Sequence, residues 1–317
     1  MDRRPIAVVT AADDPTADLV IRELHDRCVP VVRFDAADFP AALTLSARVG
    51  AGHGLHGQLR TTSRTADLSA LRSLYYRRPT HFSFAHLSEQ DARFAVAQAR
   101  YGLGGVLASL PGCLYLNHPH RIADAEFKPS QLAVAVHAGF AVPPTLITND
   151  PEDARAFAAA HQSVVYKPLW STAHMLNGQP GVVWVGDVDA GDIDGSVSAT
   201  AHLFQAKVAK IADVRVTVVG DQVFAVRIDS DLLDWREDYD RITAYTVIRP
   251  PSELDRALHA YLQRFGLMFG CFDFAVTARG EWVFLECNPN GQWAWLEPPT
   301  GLPMTAAIAS LLEKGSS

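Results

Sequence analysis

The chain has 317 residues, 48% hydrophobic and 20% charged, which is ample for a large core and suggests two domains or one with lobes. Its net charge of -7 argues against a general nucleic-acid binder, which shows a basic footprint. No apolar run reaches the roughly 18 residues of a membrane span. Met1-Asp-Arg-Arg-Pro5 leads into a short strand and not into a signal-peptide core. The scattered Cys28, Cys113, Cys271 and Cys287 suit a reducing cytoplasm, not a disulfide framework or zinc site.

Ile6 to Thr10 reads as a buried strand, and Asp14-Pro15 opens a helix carrying Leu19, Val20 and Leu24. Val29 to Phe34 completes a β-α-β unit of a doubly wound sheet. The turn at Thr10 to Asp14 lacks Gly-x-Gly-x-x-Gly, so no dinucleotide fingerprint is present. Residues 42–75 suggest short antiparallel strands around Gly50 to Gly57, where no acidic or cysteine residue lies nearby in the sequence and His53 and His56 read as part of a polar turn. Ser73-Leu-Tyr-Tyr-Arg-Arg-Pro79 is a strand ending in two arginines. A helix from Ser88 to about Leu110 carries Glu89 and Asp91 in its first turn, which favours the helix dipole.

Asn117-His-Pro-His120 marks a boundary. Lys128-Pro129 then starts a helix ending at Gly139, and Phe140 to Thr148 is an extended segment and strand. A helix to about His161 leads to the strand Ser163 to Lys167. Trp170 to Gly181 is small, polar and glycine-bearing, as a flap cradling phosphate with its amides would be. Asp213 to Asp229 is a hairpin turning at Gly220-Asp221, with Asp213, Arg215 and Thr217 on one face of its first strand. A guanidinium there suits bidentate contact with phosphate or carboxylate, and Arg227 on the return strand is a second candidate, with pairing to Asp213 or Asp229 as its alternative. Asp231 to Asp240 is an acidic loop holding Trp235 and Arg236. Glu253 to Gly266 is an amphipathic helix, and Met304 to Leu312 is an apolar one.

Cys271-Phe-Asp-Phe-Ala-Val-Thr277 and the strand from Trp282 alternate with period 2 around a turn at Ala278 to Glu281. Pairing Thr277 with Trp282 sets Phe274 against Leu285 and Phe272 against Cys287 on an apolar face. Asp273 then faces Glu286 on the other side, with Asn288 next along. A one-residue slip would bury the carboxylates. Facing carboxylates repel unless a cation lies between them, and an all-oxygen set suits magnesium completed by waters and phosphates.

Phe284-Leu-Glu-Cys-Asn-Pro-Asn-Gly-Gln-Trp-Ala-Trp-Leu-Glu297, preceded by Phe272-Asp-Phe274, resembles the metal-binding signature of ATP-grasp ligases. The Gly-Gln-Trp-x-Trp-Leu-Glu continuation is similar to that of the ATP-grasp maturases of ribosomal peptides, the graspetide and microviridin-type macrocyclases. The resemblance implies an α/β and α+β architecture: an N-terminal α/β (pre-ATP-grasp) domain over 1–116, a central lobe over 117–202 and a C-terminal lobe over 203–317. It implies ATP and Mg2+ as cofactors, with Asp273, Glu286 and Asn288 on the metal and Lys128 and Lys167 on phosphates. Phe204, Gln205, Ala206 and Lys207 would form the hinge that receives adenine through backbone groups. Ala206 stands where many relatives carry glutamate. Arg215, Arg227 and Arg236 would serve the transferred group and the acceptor, Arg236 because Asp234-Trp-Arg236 resembles a segment near the core-peptide site. Tyr-Arg-Arg-Pro recurs in these maturases with either a structural or an active-site role. The implied partner is a precursor peptide with a leader and an acidic, hydroxyl-bearing core, and a homodimer is compatible with it. The implied reaction activates an Asp or Glu side chain as an acyl-phosphate and condenses it with a Thr or Ser hydroxyl or a Lys amine. A ligase for free amines and a non-catalytic nucleotide-dependent module are the alternatives.

Overall fold

Strand β1 (Ile6–Val9) is apolar throughout and fully buried, because it is the inner strand of a parallel sheet ordered β2-β1-β6-β7. The computed structural model describes residues 4–52, 54–170, 174–176 and 179–316. Helix α1 (Pro15–Asp26) crosses to β2 (Val31–Phe34), and the Asp14 side chain caps it by accepting from the amides of Thr16 and Ala17. A three-stranded antiparallel sheet follows, β3 (Thr44–Gly50), β4 (Gly54–Arg60) and β5 (Thr65–Asp67). Strand β6 (Ser73–Tyr76), helix α2 (Glu89–Leu107) and β7 (Leu114–Leu116) complete this region. Ala7 and Val9 face a core with Phe34, Leu59 and Leu103. Ile6 and Val8 face Val20 and Leu24 of α1, and also residues from the far end of the chain.

Helices α3 (Pro119–Ala125) and α4 (Lys128–Ala138) lead into a small antiparallel lobe. Its sheet is ordered β12-β9-β13-β8, from β8 (Thr145–Thr148), β9 (Val164–Lys167), β12 (Gly186–Val188) and β13 (His202–Ala206). Helix α5 (Pro151–Ala160) covers one face. A separate pair, β10 (His174–Leu176) and β11 (Gln179–Gly181), lies within the expected flap, of which 171–173 and 177–178 are outside the described residues.

The third region is a five-stranded antiparallel sheet ordered β16-β15-β14-β17-β18. Its strands are β14 (Lys210–Val219), β15 (Gln222–Ser230), β16 (Ile242–Ile248), β17 (Phe269–Thr277) and β18 (Trp282–Asn288). Helix α6 (Ser252–Phe265) buries Leu254, Leu258, Tyr261 and Leu262 against Val214, Val216, Phe272 and Phe274, and Phe140 stacks on Phe284 at 5.5 Å. The opposite face meets α8 (Met304–Lys314), which follows the short α7 (Glu297–Thr300).

The hairpin register differs from the expected one in part. Asp273 pairs with Glu286 and Phe272 with Cys287, but Phe274 pairs with Phe284 and Val276 with Trp282. Leu285 is the extra residue of a bulge, so the strand shifts by one without turning either carboxylate inward.

A candidate nucleotide and metal site between two sheets

A cavity of about 440 Å³ lies between the sheet of the small lobe and β17–β18. Lys128 at the start of α4 and Lys167 at the end of β9 line it, with Gln205, Ala206 and Lys207 at the end of β13. Asp273, Leu285 and Glu286 close the opposite side, with Asp234, Trp235, Arg236 and Tyr239 from the loop before β16.

The chemistry of this wall is ionic. Asp273 is buried, and its Oδ2 accepts from Arg215 Nη1 at 2.6 Å. Its Oδ1 is buried with no hydrogen-bond partner. Glu286 Oε1 accepts from Arg236 Nη1 at 2.6 Å, and its Oε2 lies 3.5 Å from Lys128 Nζ. Burial works against the Glu286 charge, but Arg236, Lys128 and Lys167 outweigh it and hold the carboxyl below its usual range. Burial raises Asp273, against the pull of Arg215 and Arg236. Arg236 is itself chelated by Asp234, through Nε at 2.8 Å and Nη2 at 2.7 Å. Burial lowers the Lys167 ammonium to about 8, with Glu286 opposing the shift and Lys128 and Arg236 adding to it.

An orphaned buried carboxylate oxygen across a hairpin from a second carboxylate fits a hard divalent cation. No group of three or more His, Cys, Asp or Glu side chains able to hold a metal exists among the described residues. Asn288 sits opposite Cys271, does not line the cavity, and its Oδ1 accepts from the Asn290 amide at 2.9 Å.

Several candidates lie elsewhere. Arg215 is buried behind Asp273, off the cavity wall, and its Nη2 donates to the Gln292 carbonyl at 3.0 Å. Arg227 pairs with Val214 across the ladder, whereas Arg215 pairs with Asp273, so Arg227 is on the other face of the sheet. There it pairs with Asp229 at 2.8 Å, the alternative foreseen from the sequence. The Phe204 ring points into the core with Ala154, Val164 and Ile193, not into the cavity. Gln205 is buried and donates to Thr145 Oγ1 at 2.8 Å, and Lys207 pairs with Asp187 at 2.7 Å. The amides of Ala206 and Lys207 are already given to the carbonyls of Pro144 and Ser163, each at 2.9 Å. Those two amides are therefore engaged in the fold, and Val208 is the next cavity-lining residue. His53 lies outside the described residues, and the ring of the partly buried His56 bonds the Gly54 carbonyl at 3.2 Å.

One further cavity-lining residue was not singled out from the sequence. Asp213 lines the cavity, salt-bridged to Lys210 at 2.6 Å, and burial raises it to about 6. Its place beside Arg215 in β14's alternation was the available signal. Arg77, from Tyr-Arg-Arg-Pro, is buried and pairs with Asp14 at 2.8 Å, a structural engagement. No spacing in the sequence links residues that far apart.

The first part of the chain, residues 6–123, matches the family model described as the MvdD pre-ATP grasp domain. A comparison with characterised protein sequences gives no match. Among solved structures, the chain is similar to a Chryseobacterium gregarium RiPP-associated ATP-grasp ligase in complex with ADP and a leader and core peptide. The two are 26% identical over 98% of this chain and 97% of that one, with a TM-score of 0.91. Macrocyclase MdnC from Microcystis aeruginosa MRC, bound with precursor peptide MdnA, is 26% identical over 97% and 98%, with a TM-score of 0.86. Macrocyclase MdnB from the same source is 28% identical over 98% and 100%, with a TM-score of 0.83. With a pre-ATP-grasp match at its start and these likenesses along its length, the chain is similar throughout to ATP-grasp ligases associated with ribosomal peptides.

Proposed function

We propose that the chain uses ATP and magnesium to close macrocycles in a ribosomal precursor peptide. The observation that carries this reading is the Asp273–Glu286 pair, with its orphaned oxygen, at the cationic end of the cavity. An Asp or Glu side chain of the peptide takes the γ-phosphoryl group, releasing ADP and leaving an acyl-phosphate. A Thr or Ser hydroxyl, or a Lys amine, then attacks the activated carbonyl and phosphate departs.

Phosphoryl transfer needs little covalent help, so positioning and charge neutralisation do the work. Asp273 and Glu286, with Asn288 beside them, would hold magnesium, which neutralises phosphate charge when bound. Lys128 and Lys167 bind phosphate oxygens. Arg236, paired with Glu286 and lining the cavity, would serve the transferred group, while Arg215 orients Asp273. Arg227 serves only its surface ion pair. The hinge offers adenine the backbone near Val208.

We divide the chain at 116 and 202 into the pre-ATP-grasp domain and two lobes. No helix among the described residues is long and apolar enough to cross a membrane, and a cytoplasmic location and a homodimer complete the proposal. Incubating the chain, ATP and magnesium with the small peptide encoded beside it tests this by mass spectrometry. Each ring formed by condensation removes one water, about 18 Da. ATP hydrolysis with an unchanged peptide mass points instead to ligation of a free amine, and absence of hydrolysis to a binding module.

A further inference from the structure

One chain of hydrogen bonds runs from the N-terminal region to the metal carboxylate. Arg77, buried at the end of β6, donates through Nη2 to Gln292 Oε1 at 3.1 Å, and Thr16 Oγ1 in the first turn of α1 donates to the same oxygen at 2.8 Å. Asp14, the α1 cap, fixes Arg77 through Nε at 2.8 Å. The backbone carbonyl of Gln292 then accepts from Arg215 Nη2 at 3.0 Å, and Arg215 Nη1 donates to Asp273 Oδ2 at 2.6 Å. The chain around Gln292 has little room to adjust. Asn290 Nδ2 donates to the Arg77 carbonyl at 2.9 Å. A Cβ on Gly291 would stand 2.5 Å from Cys271 Cβ and 2.8 Å from Arg215 Nη2.

We propose that Gln292 is a positioning residue through which Arg77 and Thr16 of the N-terminal region hold Arg215 against Asp273 and so set the affinity of the Asp273–Glu286 pair for a divalent cation. Arg215 is off the cavity wall, so its reach to the site is through the carboxylate it fixes. Held this way, Asp273 keeps Oδ2 engaged and turns Oδ1 free. Removing the Gln292 side chain loosens the backbone carbonyl, then the guanidinium, then the carboxylate. The inference rests on the metal assignment proposed above.

Mn2+ binding, followed by electron paramagnetic resonance on the full chain with saturating ADP, tests it separately from turnover. Gln292→Ala is expected to weaken Mn2+ about fivefold, the weight of one hydrogen bond, with metal-free ADP affinity unchanged. Gln292→Glu keeps an acceptor for Arg77 and Thr16 and is expected to stay within about twofold of the parent. Thr16→Val removes one of the two clamps from outside the site and is expected to weaken Mn2+ by about two- to threefold, which serves if Gln292→Ala does not fold. Parent-like Mn2+ affinity in both Gln292→Ala and Thr16→Val overturns the inference. So does a matching loss of metal-free ADP affinity, which marks a general structural role. A parent protein that binds ADP but no Mn2+ overturns the metal assignment itself, a result distinguishable from the other two.

Discussion

Asp273 carries two loads, and one substitution separates them. Its carboxylate neutralises Arg215, whose side chain is only 6% exposed, and offers a free oxygen to the cavity. Asp273→Asn keeps size and one acceptor oxygen but leaves a buried guanidinium without its counter-charge. Breaking a buried ion pair from one side costs roughly 3–5 kcal/mol. The lower end applies, because Arg215 keeps its bond to the Gln292 carbonyl and the amide oxygen can still accept. At about 2.1 cal/mol/K of unfolding entropy per residue, 317 residues give roughly 1.5 °C per kcal/mol, so the melting temperature should fall by about 4–5 °C. Thermal denaturation in the presence of a chelator measures this, since the metal role is then silent. The double variant Asp273→Asn with Arg215→Met removes both buried charges and is expected to regain most of the loss, while ATP turnover stays absent. An unchanged melting temperature in Asp273→Asn, or turnover returning in the double variant, would refute the reasoning.

Glu286→Gln should cut ADP release by about 10²-fold or more, the scale expected on losing metal-held charge stabilisation; near-parent release would remove Glu286 from the metal site. Lys167 titrates at about 8 in the folded chain, so ADP binding should weaken as pH rises through that value, by up to about tenfold per unit. Lys167→Arg should flatten the profile in a calorimetric titration. Between about 8 and 10.5 the unfolded chain holds a proton that the folded one lacks, so the penalty that burying Lys167 places on folding fades as pH rises across that window. Arg227→Gln breaks only a partly exposed pair on the far face of the sheet and should change stability by about 1 kcal/mol or less; turnover measured beside it should remain near the parent value.

The opposition of Asp273 and Glu286 was legible because period-2 alternation leaves only one register that buries the phenylalanines. The bulge was not, because Phe284 and Leu285 are both apolar and either can face Phe274 without a visible penalty. Arg227 shows the limit of alternation within single strands: it phases the residues of one strand, but the face they share with the next depends on register. The hinge was placed from resemblance, yet the commitment of the Ala206 and Lys207 amides depends on the carbonyls of Pro144 and Ser163, brought close only by sheet assembly. Asp14, Arg77 and Gln292 meet across long stretches of chain with no repeating pattern. Asp14 reads as a helix start, Arg77 as part of Tyr-Arg-Arg-Pro and Gln292 as part of the Gly-Gln-Trp tail, and only packing joins them.

The packing of α8 governs how the chain can be made and cut. Ile6 and Val8 gain their cover from Met304, Ile308 and Leu312, far along the chain. Ser73 Oγ likewise waits for the Leu312 carbonyl, at 2.5 Å, and Arg27 for Glu313, at 3.2 Å. The parallel sheet, complete at β7, therefore keeps one greasy flank bare until α8 has been made. Its leading region is a recognisable sequence module but not a separable particle: excised at residue 116, it would carry that flank into solution.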